Sequence, residues 1–332
     1  MAMYGATVGR LGVLSRAAAT NQAICAIQPS EALDRDFLFY TLLEARSDLI
    51  ETSFGGAQPN ISQDVIREIR IALPDLPTQR RIAARLREQM AGVDAARKAV
   101  GEQRNSVTPL FERILSEAFF GITPLSLGIN ANPAPPGWEW RRLMDVAKLE
   151  SGHTPSRRHP EYWENGDIPW LALPDIRALD CRIALETAER TNALGIANSS
   201  ARLLPANTVA LSRTASVGFV TVFGCPMATS QDFVNWVCDS GIEPKFLMWL
   251  LRASRGFIRE VSTGAIHKTV YMDVVERFHV CLPKTSEQAA IAARLDEASN
   301  HIESLRAGLN QQTEAVSALP AAYLRASFGG DE

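Results

Sequence analysis

Four short stretches of this chain carry side chains whose chemistry suits phosphate oxygens or base edges. Ser151, Gly152, His153 and Thr154 form a small, turn-prone run that leads through Pro155-Ser156 to the cation pair Arg157-Arg158. Such a loop can aim backbone N–H groups and guanidinium forks at phosphates or at the acceptor edge of guanine. The plainer alternative is a solvated surface turn. Arg213, Thr214 and Ser216 precede Val217-Gly218 at a strand junction. There, hydroxyls and a guanidinium either face a groove or satisfy the backbone of a glycine-permitted bend. Ser230-Gln231 carries the same two readings, and a glutamine amide can pair bidentately with adenine. Gly264 to Thr269 presents His267 and Lys268 on a loop expected to be flexible. A general-base role for His267 needs a partner that the sequence does not identify, so none is assigned.

Catalytic constellations are not found. There is no glycine-rich nucleotide loop, no S-adenosylmethionine fingerprint, no Pro-Asp…Glu-x-Lys nuclease signature and no cluster of metal ligands. No catalytic residue, cofactor or metal is therefore expected, and the chain reads as a non-enzyme. The five cysteines, Cys25, Cys181, Cys225, Cys238 and Cys281, include no CxxC pair, which argues against zinc and fits a reducing, cytoplasmic setting. The formal net charge of −3 does not advertise nucleic acid, so any binding must rest on local cations. No apolar run approaches the ~18 residues of a membrane-spanning helix.

The elements that hold these loops repeat. Ala6-Thr7-Val8-Gly9 resembles Ala215-Ser216-Val217-Gly218 at an offset of 209 residues, and the same offset aligns Ala19-Thr20-Asn21-Gln22 with Ala228-Thr229-Ser230-Gln231. Without a gap it then pairs Phe37-Leu38 with Phe246-Leu247, Gly55 with Gly264, Asp64-Val65 with Asp273-Val274 and Pro74 with Pro283. Gln79 to Leu86 matches Gln288 to Leu295 at six of eight positions. A register held over more than a hundred residues means a duplicated structural unit. The glycine persists between the Gly55 and Gly264 loops while the cations do not, as expected of one turn displaying different side chains. The equivalent of Trp138 falls upstream of Met1, so the chain is expected to begin inside its first unit, about 70 residues short of a full tandem.

Each unit ends in a heptad-patterned stretch. Leu86, Val93, Val100, Val107 and Ile114 recur every seven residues with Ile82, Ala96 and Leu110 between them. Leu295, Ile302, Leu309, Val316 and Tyr323 do the same, with Ile291, Ala298, Leu305 and Leu319 interleaved. Such seams suit two helices packed as an antiparallel coiled coil. Pro109 and Pro320 are expected to end or kink them, and Gln103 and Gln312 hold equivalent seam positions that can fix register. Ahead of the second seam, 208–212, 217–223, 233–237 and 277–282 read as strands and 244–260 as an amphipathic helix. The proline-rich run 130–137 reads as an extended linker; its Asn-Pro lacks the residue order of an amino-methyltransferase motif.

Three features together resemble the specificity subunits of Type I restriction-modification systems. They are Pro136-Gly137-Trp138-Glu139-Trp140 leading into Ser151-Gly152-His153-Thr154-Pro155-Ser156, Tyr162-Trp163 and Gly166-Asp167-Ile168-Pro169-Trp170; the Ala-Thr-Val-Gly and Ala-Thr-Asn-Gln pair with its second-unit variant; and the step from strand through proline into Gln-x-x-Ile-Ala-x-x-Leu. The resemblance covers essentially the whole chain. It implies an α/β (α+β) fold of two target-recognition domains joined by two long antiparallel helices. The parts are a partial first recognition domain at 1–77, a helix at 78–121, a linker at 122–137, a second recognition domain at 138–284 and a helix at 285–330. It further implies a V-shaped, non-catalytic reader of a bipartite double-stranded DNA target that docks methyltransferase and motor-nuclease subunits. It makes Ser151, Gly152, His153, Thr154, Arg157, Arg158, Arg213, Thr214, Ser216, Ser230, Gln231, His267 and Lys268 candidate DNA contacts. Two alternatives stay open: a pure protein–protein scaffold, and the recognition portion of a fused restriction-methyltransferase.

Overall fold

The computed structural model describes residues 1–51, 60–129, 133–264 and 268–329. The chain divides into two compact units, Met1–Ser106 with Leu305–Glu332, and Val107–Ser304. In chain order, the elements up to the first long helix are α1 (Arg35–Glu44), α2 (Arg46–Glu51), α3 (Gln63–Glu68) and α4 (Leu76–Ala118). There follow β1 (Leu125–Ser126), β2 (Glu139–Arg142), β3 (Ala147–Ser151), β4 (Ile168–Leu171), α5 (Leu173–Ile176), β5 (Ile183–Ala184), β6 (Glu189–Thr191) and α6 (Ala193–Ala197). The second half holds β7 (Thr208–Ser212), β8 (Val220–Phe223), β9 (Ala228–Thr229), β10 (Phe233–Cys238), α7 (Pro244–Ala253), α8 (Arg255–Glu260), α9 (Met272–Val275), β11 (His279–Leu282) and α10 (Thr285–Phe328). This is the mixed helix-and-sheet class expected.

In the second unit a five-stranded sheet runs in the order β3-β10-β7-β8-β5. Its central strands are apolar or hydroxyl-bearing at every position but Asn235 and sit with both faces covered: β7 and β8 are buried throughout, and Phe233, Val234 and Trp236 of β10 are fully buried. Antiparallel pairing puts Ser151 opposite Val234, Phe233 opposite Ser212 and Leu211 opposite Val220. The C-terminal ends of β3 and β7 and the N-terminal ends of β8 and β10 therefore share one end of the sheet. Two three-stranded sheets, β1-β11-β2 and β6-β4-β9, flank it. Helix α7 covers the sheet with Phe246, Leu247, Trp249, Leu250 and Leu251, all buried. Pro244 opens that helix and the Glu243 carboxylate accepts from the Phe246 N–H, an N-cap. The expected 244–260 helix is two, broken at Ser254. Strand β8 begins at Val220 rather than 217, because Gly218 adopts φ 91° and turns the chain. The stretch 122–137 is more than a linker: Leu125 and Ser126 are buried and pair with β11.

The duplication is carried by structure as well as sequence. Helices α1 and α2 lie at the 209-residue offset from α7 and α8, end for end. Gly9 (φ 71°) and Gly218 (φ 91°) hold equivalent left-handed turns, and a Cβ on either would press against the arginine of the following helix, Arg46 or Arg255. The buried amides of Gln79 and Gln288 make the same three bonds. Gln79 donates to the Ala32 and Pro74 carbonyls and accepts from the Asp34 N–H; Gln288 donates to Gly241 and Pro283 and accepts from the Glu243 N–H. All six partners are themselves 209 residues apart. Gly55 and its neighbours lie outside the described residues.

The long helices pack antiparallel within each unit. In the first, Phe37, Tyr40, Ala83 and Leu86 form a core with Leu324 near the end of α10. In the second, Ile114 and Ala118 at the end of α4 face Ile291, Leu295 and Ala298 at the start of α10. Leu86, Val93, Val107, Leu295, Ile302 and Leu309 of the predicted seams are buried. Leu110 and Leu305 are not, at 38% and 50% exposed, and burial passes instead to Phe111 and Leu115. A straight helix drifts about 20° per heptad, which rotates the apolar stripe off a strict seven-residue repeat. Gln103 and Gln312 are exposed and so do not set register. Pro109 and Pro320 do not end their helices, which continue to Ala118 and Phe328. Buried Phe111 and Leu115 beyond Pro109, and Leu324 beyond Pro320, supply packing that offsets the lost backbone bond.

Candidate nucleic-acid interface

Three of the four candidate stretches converge on the shared end of the five-stranded sheet, and Lys268 from the fourth joins them. Ser151 ends β3 with its side chain exposed, and Gly152 passes so close to the chain opposite that a Cβ would sit 1.9 Å from the Ser230 carbonyl oxygen. Only glycine fits there. The His153 N–H donates to the Thr229 carbonyl at 2.9 Å, and the Thr154 hydroxyl donates to the Gln231 amide oxygen at 2.5 Å. Thus 151–154 and 230–231, far apart in sequence, are stitched edge to edge.

The third stretch joins through backbone. Arg213 N–H donates to the Asp232 carbonyl, and Val270 N–H returns to the Arg213 carbonyl at 2.9 Å. Thr214 bridges Thr269, and Ala215 N–H donates to the Lys268 carbonyl at 3.1 Å. Between them Ala215 adopts φ 57°, a left-handed conformation that costs an alanine of order 1 kcal/mol and persists because these bonds over-determine it. Beneath the turn, Arg255 donates to the Gly218 carbonyl at 2.7 Å and to Asp180 at 2.5 Å, and Arg259 donates to the Val217 carbonyl at 3.1 Å. This arginine brace was not legible in the sequence, because its acid lies 75 residues upstream of Arg255.

The candidates divide by what their side chains already do. Ser151, His153, Gln231, Arg158 and Lys268 are exposed, and Thr154, Thr214 and Ser216 are half-buried at the rim. Arg158 and Lys268 have no side-chain partner among the described residues, which leaves two cations open to solvent. Ser230 is buried and its hydroxyl donates to Asp232 at 3.0 Å. Arg213 donates to the Gln231 and Val270 carbonyls, so it braces the loops. Arg157 is committed elsewhere: it forms a bidentate pair with Glu189 at 2.7 and 2.6 Å and lies 3.8 Å over the Trp163 ring. That pairing holds the Glu189 carboxyl below its ordinary range. Trp170, beside it, donates to the His153 carbonyl, so this cluster supports the rim from behind. His267 lies outside the described residues.

A second buried support is Glu150, one residue before the rim. Burial pushes its carboxyl up, but the hydrogen bond from Lys148 and the charge of Arg202 outweigh this and hold it below the ordinary value. Sequence reading passed over Glu150 because an acid in a strand looks like a solvent-facing position. Among the described residues no group of three His, Cys, Asp or Glu side chains could hold a metal ion, and no helix is long and apolar enough to cross a membrane.

Comparison with known families places the chain as a whole. The model of the Type I restriction modification DNA specificity domain matches residues 1–95 and 135–315. The chain belongs to that family. Curated specificity-domain relatives include the Type I restriction enzyme MjaIX specificity subunit of Methanocaldococcus jannaschii, 26% identical over 51% of this chain and 39% of the relative. The EcoprrI specificity subunit of Escherichia coli is 28% identical over 44% of this chain and 36% of its own length. The MjaVIII specificity subunit of M. jannaschii is 22% identical over 89% and 69%. The chain thus spans well under half the length of the first two. Among solved structures, the HsdS subunit from Thermoanaerobacter tengcongensis superposes with a TM-score of 0.63 at 20% identity, over 91% of this chain and 72% of that one. A chain from work on complex assembly and conformational transition of the type I R-M system gives 0.68 at 21%, over 90% and 71%. These likenesses establish the specificity-subunit fold: recognition domains joined by long helices.

Proposed function

We propose that this specificity-family chain is the sequence-specific DNA-recognition subunit of a Type I restriction-modification complex. In this reading it contributes no catalysis and positions methyltransferase and motor-nuclease subunits on a bipartite duplex target. One observation carries it. Segments from 151–154, 213–216, 230–231 and 268, scattered through the sequence, meet at one end of a rigid sheet. That end presents exposed hydrogen-bonding groups, His153 and Gln231; Lys268 lies on the adjoining segment and Arg158 follows His153 in the same loop, both exposed and without a side-chain partner among the described residues. Rigid strands that hold polar rim groups suit base edges, and unpaired cations suit phosphates. Recognition by such a surface is local, which reconciles it with a net charge of −3. The helical pair, of 43 and 44 residues, is the natural spacer and docking element.

The test is salt-dependent duplex binding by the chain combined with its family's methyltransferase subunit, using a pool of random duplexes. Enrichment of one sequence class with affinity falling steeply with salt supports the reading. Binding without sequence preference overturns it in favour of a scaffold role.

A further inference from the structure

The two repeats dock their caps on their long helices through nearly the same surface, with one inversion. In both, the first cap helix lies against the start of the following long helix, α1 on α4 and α7 on α10. Phe37, Ala83 and Leu86 pack together in the first copy, their equivalents at the 209-residue offset, Phe246, Ala292 and Leu295, are likewise buried, and Gln79 and Gln288 make the same three bonds. These shared residues do not distinguish one copy from the other. The ion pair does. In the first unit Asp36 on the cap pairs with Arg87 on the long helix; in the second Lys245 on the cap pairs with Asp296 on the long helix at 2.7 Å. The positions are equivalent and the charges are reversed.

Both acids are mostly covered, Asp36 at 19% and Asp296 at 26% exposure, so neither escapes into solvent. Each also has a second anchor: Asp36 accepts from Arg35, and Asp296 accepts from the Trp249 indole N–H at 2.8 Å. If a cap docked on the other repeat's helix, Asp36 would meet Asp296 and Lys245 would meet Arg87. Both mismatches are like-charge contacts at a partly desolvated joint, the situation in which repulsion separates right from wrong partners. A tandem duplication with matching joints is open to such exchange, within one chain or between two copies as a swapped dimer.

We infer that the inverted ion pair keys each recognition unit to its own long helix and suppresses exchange between the two copies. Matched pairs whose cations reach solvent contribute little to stability, so the device acts through discrimination.

The test refolds the full-length chain from denaturant and scores docking by cross-linking mass spectrometry. Native links join 35–44 to 76–100 and 244–253 to 285–304; exchanged links join 35–44 to 285–304 and 244–253 to 76–100. The double variant Asp36→Lys with Arg87→Asp keeps a matched pair in the first unit but gives both units the same polarity. It is expected to raise the exchanged fraction about tenfold or more over the natural chain, with swapped dimers growing with concentration. The neutral variant Asp36→Asn with Arg87→Gln, which keeps polar side chains of similar size, is expected to give a smaller rise. If both variants refold with the exchanged fraction of the natural chain, the keying role is overturned.

Discussion

Arg157 gives its guanidinium edge to Glu189 and its face to Trp163, whereas Arg158, one residue on, keeps its side chain in solvent. The two are therefore expected to fail differently. Arg158→Ala and Lys268→Ala should leave thermal unfolding unchanged, weaken duplex binding severalfold and lower the salt slope by about one per contact. Arg157→Ala should instead cost about 1 kcal/mol of stability in denaturant titrations, because its bonds are half-exposed. Glu150 adds a pH signature. Its folded carboxyl titrates below the unfolded value, so its contribution is fully present above the ordinary carboxylate range and fades as pH falls toward the folded pKa. Glu150→Gln should therefore destabilise the chain by about 1–2 kcal/mol at pH 7, and the gap to the natural protein should narrow below about pH 4. The cysteines follow burial. Cys181 and Cys238 thiols are pushed up to about 12 and Cys281 to about 11, chiefly by desolvation. Buried Cys281 should react with maleimide at pH 8 only at the rate of unfolding, and half-buried Cys181 and Cys238 far more slowly than a free thiol, as read by mass spectrometry with and without denaturant. From sequence, these loops could be named but their members not ranked. An arginine locked on tryptophan and one in solvent are written alike, and only the distant Glu189 tells them apart.

At the scale of elements, the buried glutamines are the joints that hold each helix to its cap. Gln79 and Gln288, themselves fully buried, each satisfy one backbone N–H and two carbonyls. Replacing either by leucine is expected to cost about 2–4 kcal/mol, because buried groups are orphaned. Unfolding followed by circular dichroism checks this; a loss below 1 kcal/mol would show that other groups take over those bonds. These joints were legible as a match within the repeat, Gln79 with Gln288, although their bonding was not. The heptads revealed the long helices because burial on one stripe demands that periodicity. Leu110 and Leu305 still fell on the wet side, since spacing alone cannot follow the stripe as it rotates. Proline misled for a related reason. Local cost predicts an end, but tertiary packing of Phe111, Leu115 and Leu324 carries the helix on.

For the molecule as a whole, the constant offset of 209 residues was the most informative feature of the sequence. It survives as paired glycine turns, paired caps and paired helices, so fold class followed from pattern, and the family from the motifs set in it. The interface itself was legible only in part. Ser151–Thr154, Arg213–Ser216, Ser230-Gln231 and Lys268 are brought together by strand register. Register depends on which strands neighbour one another, and the order β3-β10-β7-β8-β5 is not written in chain order. The claim that this sheet end meets DNA is tested most directly by photocross-linking. A benzophenone amino acid is placed at Thr154 on the candidate rim and, separately, at exposed Ser240 beyond β10 at the opposite end. Each variant is irradiated with the duplex selected by the complex with the methyltransferase. Cross-links from position 154 and none from 240 are the predicted result; efficient cross-links from 240 with none from 154 would contradict it.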